Sequence, residues 1–455
     1  MTRQLLTGNE AAAWGARLAG VDYVPSFPIT PQTEIIDTLS RWIDRGEMDA
    51  RLVTLESEHS MLTAAGTAAA TGVRVFTATS SQGLLYGMEM LYTLPGWRVP
   101  LVLVNVSRAL SAPITLEPDH NDVLAARDSG FLQFHASTCQ EVLDGILLSY
   151  RLAEDRRVRL PVLVNLDGFY LSFTREPVEL PRPESIAEFL PPFDAGALNF
   201  GGGAPRAQGV AVLGGDTYSF FRYQSHLAAT HALDVFAEAA EDFKARFGRD
   251  LSPVECHGCE DAEFVFVMIG AFSGKARAAV DRLRHEGWKI GLVRPRLLRP
   301  FPEAQLVEAL AGRRAVAVID QNLAPGRGGI LHAEVRAALY HTQWPRPPVL
   351  GFIGGLGGRD IPYAEFRAIA ETMRESAETG HEPPPRLLYT GEELQRFHAL
   401  RTVAGAPMDN EGEGEGDWNT ADGPAAGHGS SDDPATGTSN PEDAPAKPHL
   451  ETPHG

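Results

Sequence analysis

The strongest constraint on the fold is an alternation of short apolar runs with Ala- and Leu-rich segments of helical period, between residues 8 and about 175. Because strands separated by helices pair in parallel, this alternation predicts a parallel sheet covered by helices on both faces. The predicted strands are Arg51 to Glu56, Val73 to Thr79, Pro100 to Ser107 and Pro161 to Leu166. The predicted N-caps of the helices that follow are Ser57, Ser80 or Ser81, and Thr138.

A second unit of the same kind is predicted after a Pro- and Gly-rich linker at residues 181–205. We therefore expect one α/β domain at residues 1–180 and another at residues 206–400, both of doubly wound type. The strands predicted for the second domain are Gly209 to Leu213, Glu263 to Ile269, Lys289 to Val293, Ala315 to Ile319 and Val349 to Ile353. Its predicted helices lie near residues 275–286, 303–312 and 328–340.

The formal net charge of −19 argues against a nucleic acid or an anionic membrane as partner, because phosphate contacts need clustered Lys and Arg. Much of this charge is local, since residues 402–455 hold eleven Asp or Glu and one Lys. Residues 401–455 have almost no aliphatic side chains, so burial cannot offset the cost of ordering them. We expect this segment to be a disordered acidic tail.

The three cysteines do not form a disulfide framework in a chain of 455 residues. The first residues lack the apolar region of a secretory signal, and no apolar run reaches the ~20 residues of a membrane span. These features predict a soluble, cytoplasmic protein.

The segment from Ser26 to Glu34 lies where a first strand is expected to stop and a helix to begin. Pro28 and Pro31 would stiffen this turn, and Thr30 would be presented at the carboxyl end of the strand. A hydroxyl and free backbone N–H groups at such a place can bind an anionic ligand. The local pattern fits equally a Pro-rich connector in which Thr30 caps a helix.

The next strand-to-helix junction holds Glu58 and His59, in the first turn of an Ala-rich helix. Taken alone, a carboxylate at this place is more often a favourable partner of the helix dipole, worth about 0.3 to 1 kcal/mol. His59 is likewise more often an ordinary surface histidine than a ligand.

Two further junctions carry polar residues. The turn from Thr77 to Leu84 is rich in small hydroxylated residues, which could simply cap a helix. Arg108 leaves the end of a predicted buried strand, and Asp119 to Asp122 follow it. An arginine so placed suits bidentate capture of a carboxylate, with an intramolecular salt bridge as the alternative.

Considered together, these stretches are far more specific than any one alone. They resemble, in order and spacing, the α subunits of pyruvate:ferredoxin oxidoreductases, over roughly residues 6–380. In the first half the matching segments are Gly8–Ala11, Phe27–Pro31, Glu56–His59, Ala78–Gly83, Arg108–Pro113, Ala126–Gly130 and Asp167–Phe169. In the second half they are Arg299–Pro302 and Gly355–Ile361.

The resemblance implies a thiamine-diphosphate-binding domain of pyrimidine type, followed by a domain like the C-terminal domain of transketolase. Glu58 matches the glutamate that hydrogen-bonds the pyrimidine ring nitrogen, and Pro28 and Ile29 lie at the cofactor. Arg108 matches the residue that binds the substrate carboxylate, and Thr30 the hydroxyl beside it. The implied reaction is oxidative decarboxylation of pyruvate with coenzyme A, giving acetyl-CoA and CO2 and reducing ferredoxin or flavodoxin.

Two absences from the sequence imply partner subunits. The chain has no Gly-Asp-Gly, the motif with which thiamine enzymes hold the diphosphate and Mg2+, so a β subunit is expected to supply it. Three cysteines cannot ligate a standard [4Fe–4S] cluster, so clusters are expected on partners such as γ and δ subunits. Alternatives are a branched-chain (2-oxoisovalerate) enzyme of the same type and a non-catalytic scaffold that recruits a basic protein through the acidic tail.

Two details remain outside the resemblance. Cys256 and Cys259 form a Cys-x-x-Cys, for which an incidental loop pair is favoured over a zinc half-site, a redox pair or a cluster fragment. Phe173 stands where relatives often show His, which puts a substrate or subunit contact there in doubt.

Overall fold

A computed structural model describes residues 2–196, 207, 209–390, 392, 393, 395, 396 and 399. The predicted acidic tail at 401–455 lies outside these residues, as does part of the predicted linker. No helix in the described part is long and apolar enough to cross a membrane.

The described residues contain fifteen strands in four sheets. The strands are β1 (Thr2–Thr7), β2 (Tyr23–Ser26), β3 (Arg51–Thr54), β4 (Phe76–Thr79), β5 (Val102–Ser107), β6 (Leu132–His135), β7 (Val162–Asp167), β8 (Arg175–Leu180), β9 (Val254–His257), β10 (Phe264–Val267), β11 (Ile290–Pro295), β12 (Leu297–Arg299), β13 (Ala315–Asp320), β14 (Val349–Ile353) and β15 (Arg386–Leu387).

Thirteen α-helices connect these strands within the same described residues. The helices are α1 (Gly8–Leu18), α2 (Thr33–Asp44), α3 (Glu58–Ala70), α4 (Ser81–Tyr86), α5 (Met88–Trp97), α6 (Asn121–Ala125), α7 (Cys139–Glu154), α8 (Pro183–Phe189), α9 (Gly215–Phe247), α10 (Ser273–His285), α11 (Glu303–Leu310), α12 (Ile330–Ala338) and α13 (Tyr363–Thr379).

The first large sheet has the strand order β12-β6-β7-β5-β4, and the strands β4 to β7 run parallel. A parallel pair of β2 and β3 continues it through a bridge between Tyr23 and Val75. The second large sheet has the order β15-β14-β13-β10-β11-β9, with β9 antiparallel at one edge. The predicted α/β fold class is confirmed.

Each large sheet buries both of its faces, because residues that alternate along a strand enter different apolar layers. Val102 and Val104 of β5 pack with α1 and α7, whereas Leu103 packs in a second layer with α3 and α5. Val265 of β10 belongs to that same second layer, and Phe264 packs in a third layer with α10 and α13. The second layer is therefore shared by the two sheets.

The segment after the predicted linker differs from the prediction. Residues 209–213 form no strand, and they lead into α9, a helix of 33 residues. Ala232 and Phe236 of this helix are buried in the same layer as α7 of the first sheet. The strand prediction for Gly209 to Leu213 is therefore wrong, because this short apolar run is mostly exposed and pairs with no described strand.

The predicted N-caps are mostly confirmed. Ser57 accepts a hydrogen bond from Ser60 N at the start of α3, and Thr138 accepts one from Glu141 N at the start of α7. Ser80 occupies the N-cap position of α4, but its side chain makes no capping hydrogen bond. The hydroxyl of Ser80 is therefore free for another partner.

A buried ionic cluster connects the two sheets. Arg294 of β11 and Arg296 both pair with Glu141 of α7 and with Glu255 of β9. The carboxylates neutralise two guanidinium groups that are 1% and 5% exposed. Uncompensated, charges at such depth would cost several kcal/mol each, so this cluster fixes how the strands of the second sheet meet α7.

Candidate functional site

Four strand-to-helix junctions of the first sheet form the candidate site. β4 and β5 are parallel neighbours, with Thr79 opposite Asn105, so their carboxyl ends meet at one edge. Ser80 and Arg108 follow directly after these two strands. The turns after β2 and β3 bring Thr30 and Glu58 to the same edge, where open parallel sheets bind their ligands.

Glu58 is buried, with 5% of its surface exposed, in the first turn of α3. Its carboxylate accepts no hydrogen bond from any residue that the structure describes. His59, its neighbour in sequence, instead points outward, and its Nε2 lies 3.1 Å from Glu89 Oε2. A buried carboxylate without a donor is costly, which indicates that Glu58 is kept for a ligand.

The helix α4 lies directly against this carboxylate because residue 83 is glycine. A Cβ on Gly83 would overlap the Glu58 carboxylate and would lie 2.6 Å from the Thr79 hydroxyl. The hydroxyls of Thr79 and Ser80 are buried and have no hydrogen-bond partner in the structure. The Glu58 carboxylate and the Thr79 hydroxyl thus lie together at the end of β4 with unused hydrogen-bonding capacity, and the Ser80 hydroxyl is unpartnered in the next residue.

Arg108 lies at the end of β5 and is 7% exposed. Its Nη1 donates to the Thr30 carbonyl at 2.8 Å, and its Nη2 donates to Gln82 Oε1 at 2.7 Å. Its Nε is buried without a partner. Burial lowers the pKa of Arg108, which Asp122 opposes, and the group stays charged.

The edge of Arg108 formed by Nε and Nη2 is therefore only half used. Gln82 Oε1 occupies Nη2, while Nε has no acceptor. A carboxylate in the place of the Gln82 amide would accept from both nitrogens in the bidentate geometry that guanidinium groups favour. The Nε and Nη2 edge of Arg108 therefore has the geometry that suits a bidentate carboxylate.

Asp122 organises the backbone around this receptor. Its fully buried carboxylate accepts hydrogen bonds from Ser81 N, Arg108 N and Asn105 Nδ2. Burial raises the pKa of Asp122, and its hydrogen-bond donors, first Ser107, counteract the rise. Asp122 connects the ends of β4 and β5, so it positions both parts of the site.

The predicted site residues are only partly brought together. Arg108 reaches Thr30 through the Thr30 carbonyl, while Thr30 and Pro28 are exposed and Ile29 is half-buried. The described structure gives Pro28 and Ile29 no polar contact with Glu58. Phe173 is exposed and stacks on Phe169 at 4.9 Å between ring centroids.

Several polar residues that complete the site had no role predicted from the sequence. Gln82 and Asp122 lie in the polar segments 78–83 and 119–122. Their contacts with Arg108 span 26 and 14 residues in sequence, so no local pattern predicts them. His120 and Asp167 form a fully buried pair at 2.6 Å. Burial alone would lower the pKa of His120, but the carboxylates of Asp167, Asp122 and Asp119 together raise it above its ordinary value.

This buried pair also joins the site to the second sheet. Asp167 accepts a hydrogen bond from Ala271 N at 2.8 Å, and His120 N donates to the Gln321 carbonyl at 2.8 Å. The donors and acceptors of these two hydrogen bonds are shielded from water, so each bond depends on its particular partner. The turns after β10 and β13 therefore support the loop that follows Arg108.

The sequence matches two described families. Residues 14–240 match the family described as "Pyruvate flavodoxin/ferredoxin oxidoreductase, thiamine diP-bdg". Residues 262–366 match "Pyruvate:ferredoxin oxidoreductase core domain II". The first match contains Thr30, Glu58, Gln82 and Arg108, which are the residues of the candidate site.

Curated relatives are similar over most of the chain. The ketoisovalerate oxidoreductase subunit VorA of Pyrococcus horikoshii is 42% identical over 83% of this chain and 95% of that subunit. The pyruvate synthase subunit PorA of Methanothermobacter thermautotrophicus is 40% identical over 81% of this chain and 94% of that subunit. The pyruvate synthase subunit PorA of Pyrococcus abyssi is 38% identical over 84% of this chain and 96% of that subunit.

A solved structure has the same fold. It is the 2-oxoglutarate:ferredoxin oxidoreductase from Magnetococcus marinus, with 2-oxoglutarate, coenzyme A and succinyl-CoA bound. The TM-score is 0.64 at 22% identity, over 82% of this chain and 65% of that chain. With the matches in sequence, the chain belongs to the pyruvate flavodoxin/ferredoxin oxidoreductase family and carries its thiamine-diphosphate-binding domain.

Proposed function

We propose that the chain is the α subunit of a 2-oxoacid:ferredoxin oxidoreductase that oxidatively decarboxylates pyruvate with coenzyme A. The observation that carries this proposal is the buried Glu58 carboxylate, which accepts no hydrogen bond from the described residues and lies beside the unpartnered Thr79 hydroxyl at a strand end. The names of the relatives support the reaction class, since they are subunits of pyruvate and ketoisovalerate enzymes.

The site fits the pyrimidine half of thiamine diphosphate. An aminopyrimidine offers ring nitrogens and an exocyclic amine, which need one acidic partner and further hydrogen-bonding groups at short range. Glu58 would hold the ring nitrogen, and the Thr79 hydroxyl beside it would take a further contact. When bound, thiamine diphosphate supplies the stabilisation of negative charge that decarboxylation of a 2-oxoacid requires.

Glu58 has the catalytic role in this proposal. A carboxyl group in a dry pocket at the pyrimidine ring can share a proton with the ring nitrogen and so control where the ring accepts its next proton. The low exposure of Glu58, 5%, limits competition from water for this hydrogen bond. Gly83 keeps the carboxylate against α4, so its direction is fixed before any ligand binds.

Arg108 and Thr30 bind the substrate in this proposal. The Nε and Nη2 edge of Arg108 would receive the carboxylate common to all 2-oxoacids, and Gln82 would move aside. The hydrogen bond from Nη1 to the Thr30 carbonyl holds the guanidinium in a fixed orientation, which leaves the Nε and Nη2 edge for the substrate. The exposed Thr30 side chain, with Pro28 and Ile29, would line the entrance.

Partner subunits complete the enzyme in this proposal. The sequence lacks Gly-Asp-Gly, and the described residues contain no group of three His, Cys, Asp or Glu that could hold a metal ion. We propose that a β subunit holds the diphosphate and Mg2+ and that [4Fe–4S] clusters on partner subunits pass electrons to ferredoxin or flavodoxin. The relatives are themselves named as subunits, which supports an assembly.

A ketoisovalerate enzyme is the second candidate. The two kinds of relative are almost equally similar, at 42% and 40% identity, so overall similarity does not separate the substrates. Arg108 would bind the carboxylate of either oxoacid, since the two substrates differ only in the alkyl group beside the keto carbon. The distinction therefore needs a measurement.

The experiment is a substrate panel on the complex purified with its natural partners. Rates of coenzyme A-dependent reduction of ferredoxin would be measured with pyruvate, 2-oxoisovalerate and 2-oxoglutarate at equal concentration. The proposal expects the highest kcat/KM with pyruvate. A higher value with 2-oxoisovalerate would establish the second candidate, and no turnover with any of the three would overturn the assignment as a 2-oxoacid enzyme.

A further inference from the structure

The function proposed above makes no use of Cys256 and Cys259. Cys256 lies on β9, the antiparallel strand at the edge of the six-stranded sheet, opposite Val293 of β11. The chain then turns through Gly258, whose φ of +62° is in the left-handed region that favours glycine. This turn brings Cys259 close enough to Cys256 for a hydrogen bond between the two thiols.

The two thiols have opposite environments. Cys256 is exposed, whereas Cys259 is buried with 7% of its surface exposed. Cys259 Sγ lies 3.3 Å from the Leu292 carbonyl and 3.5 Å from the His257 carbonyl. A Cβ on residue 291 would lie 2.8 Å from Cys259 Sγ, so Gly291 makes the room for this thiol.

The charges around the pair favour a thiolate on the exposed cysteine. A hydrogen bond from Cys259 lowers the pKa of Cys256 to about 7, and Arg313 acts in the same direction against burial, Glu260 and Glu308. The same hydrogen bond and burial raise the pKa of Cys259. The thiolate is the form that attacks a disulfide, so the pair consists of an accessible nucleophile and a shielded second thiol.

We propose that Cys256 and Cys259 are a redox-active dithiol that forms a reversible disulfide by exchange with a small-molecule disulfide. The Cys256 thiolate attacks one sulfur of the oxidant, forms a mixed disulfide and releases one thiolate. Cys259 then loses its proton to that thiolate and attacks Cys256 Sγ, which expels the second thiolate. The two cysteines are oxidised by two electrons, and one disulfide is reduced to two thiols.

The geometry supports this order of attack. An oxidant reaches Cys256 at the sheet edge, but the buried Cys259 is reached only by the sulfur beside it. The described residues contain no third His, Cys, Asp or Glu that would make the pair part of a metal site. The pair is therefore built for exchange between thiols and disulfides.

The test follows the two cysteines in one peptide. The full-length chain would be equilibrated in glutathione buffers of increasing oxidised fraction, quenched with acid, alkylated and digested with trypsin. Residues 250–275 lie between Arg249 and Lys275, so their peptide contains both cysteines, and the buried Cys139 lies in another peptide as an internal control. Mass spectrometry then separates the doubly alkylated peptide from the form that has lost two hydrogens.

The wild-type peptide should convert fully to the internal disulfide and return on addition of dithiothreitol, while Cys139 stays alkylatable after unfolding. Cys259→Ser should instead accumulate one glutathione on Cys256, because the second step is lost. Cys256→Ser should react at least about tenfold more slowly, because the buried thiol is the poor nucleophile. A wild-type pair that stays reduced in fully oxidised glutathione, or a Cys256→Ser variant as fast as Cys259→Ser, would overturn the proposal.

Discussion

The carboxylate of Glu58 and the bare α-carbon of Gly83 lie so close together that no side chain fits between them. They come from different strand-to-helix junctions, 25 residues apart in sequence. The pair fixes the distance between α3 and α4 at the place where the proposed pyrimidine site lies. A methyl group at residue 83 would therefore act on the site without changing its charge.

Gly83→Ala should weaken binding of thiamine diphosphate to the assembled complex by at least roughly tenfold, because the added methyl group displaces the Glu58 carboxylate or the Thr79 hydroxyl. Isothermal titration calorimetry on complex stripped of cofactor would measure the Kd. Gly96→Ala is the matched control, since a Cβ on Gly96 in α5 meets nothing within 4 Å. Equal affinity for the two variants would show that Gly83 does not border the cofactor.

Glu58→Gln should reduce kcat by roughly 10² to 10⁴, the range typical of losing a proton-transfer group, since the amide keeps the size but not the acidity. The measurement is coenzyme A-dependent reduction of ferredoxin by the assembled complex. Glu89→Gln is the control, because that carboxylate is exposed and contacts only His59. Near-normal turnover of Glu58→Gln would reject the catalytic role and favour a scaffold subunit.

Arg108→Lys should raise KM for the oxoacid by about ten- to a hundredfold, because an ammonium cannot form the bidentate pair with a carboxylate. The affinity for thiamine diphosphate should stay nearly unchanged, since Arg108 contacts Gln82 and Thr30 and not Glu58. Steady-state kinetics with varied pyruvate checks the first expectation, and Arg151→Lys on the exposed side of α7 is the control. If Arg108→Lys weakened thiamine diphosphate binding as well as oxoacid binding, the assignment of Arg108 to the substrate and Glu58 to the cofactor would be contradicted.

Gln82→Glu tests whether Gln82 occupies the substrate position on Arg108. A carboxylate at residue 82 would accept from both Nε and Nη2 and would compete with the oxoacid, so KM should rise. Gln82→Ala should leave KM unchanged or lower it, because it removes the competing amide. The opposite ranking of these two variants in KM would show that Gln82 holds Arg108 without blocking it.

The strand ends that form the candidate site were more predictable from the sequence than the contacts between their side chains. The strands before Glu58 and Arg108 were predictable because their apolar runs are short and end at polar turns. The bond between Gln82 and Arg108 was not, because it depends on the parallel pairing of β4 and β5. The role proposed for Glu58 rests on the spacing of several motifs together, since the residue alone fits a helix-dipole partner equally well.

The regions around residues 209–247 and 297–299 show why the rest of the fold escaped prediction. The buried residues of α9 begin only at Ala228, and Phe220 and Tyr223 nearer its start are exposed. A helix with so uneven a pattern gives a weak periodic signal. β12 joins the first sheet by pairing with β6, which no local pattern indicates. The division into domains at residues 1–180 and 206–400 stays a prediction.

Asp320 leads to a prediction about stability and pH. Its carboxylate, at the end of β13, accepts hydrogen bonds from Leu331 N at 2.7 Å and His332 N at 3.1 Å, at the start of α12. Burial raises the pKa of Asp320 to about 7, in spite of these backbone donors. Its pKa in the unfolded chain is about 3.9, so the folded protein binds more protons between those two values.

The free energy of unfolding should therefore fall as the pH rises from about 4 to about 7, and this contribution should be constant above that. Each pH unit inside the window is worth at most about 1.4 kcal/mol. Asp320→Asn removes the titrating group, so only the wild type should lose this contribution to its unfolding free energy as the pH rises. The unfolding free energy of the wild type minus that of the variant should therefore fall from pH 5.5 to 7.5 and then stay constant. Urea unfolding at several pH values measures it, with Asp234→Asn on the exposed side of α9 as control. A difference that does not change with pH would show that Asp320 is already ionised at pH 5.5 in the folded protein.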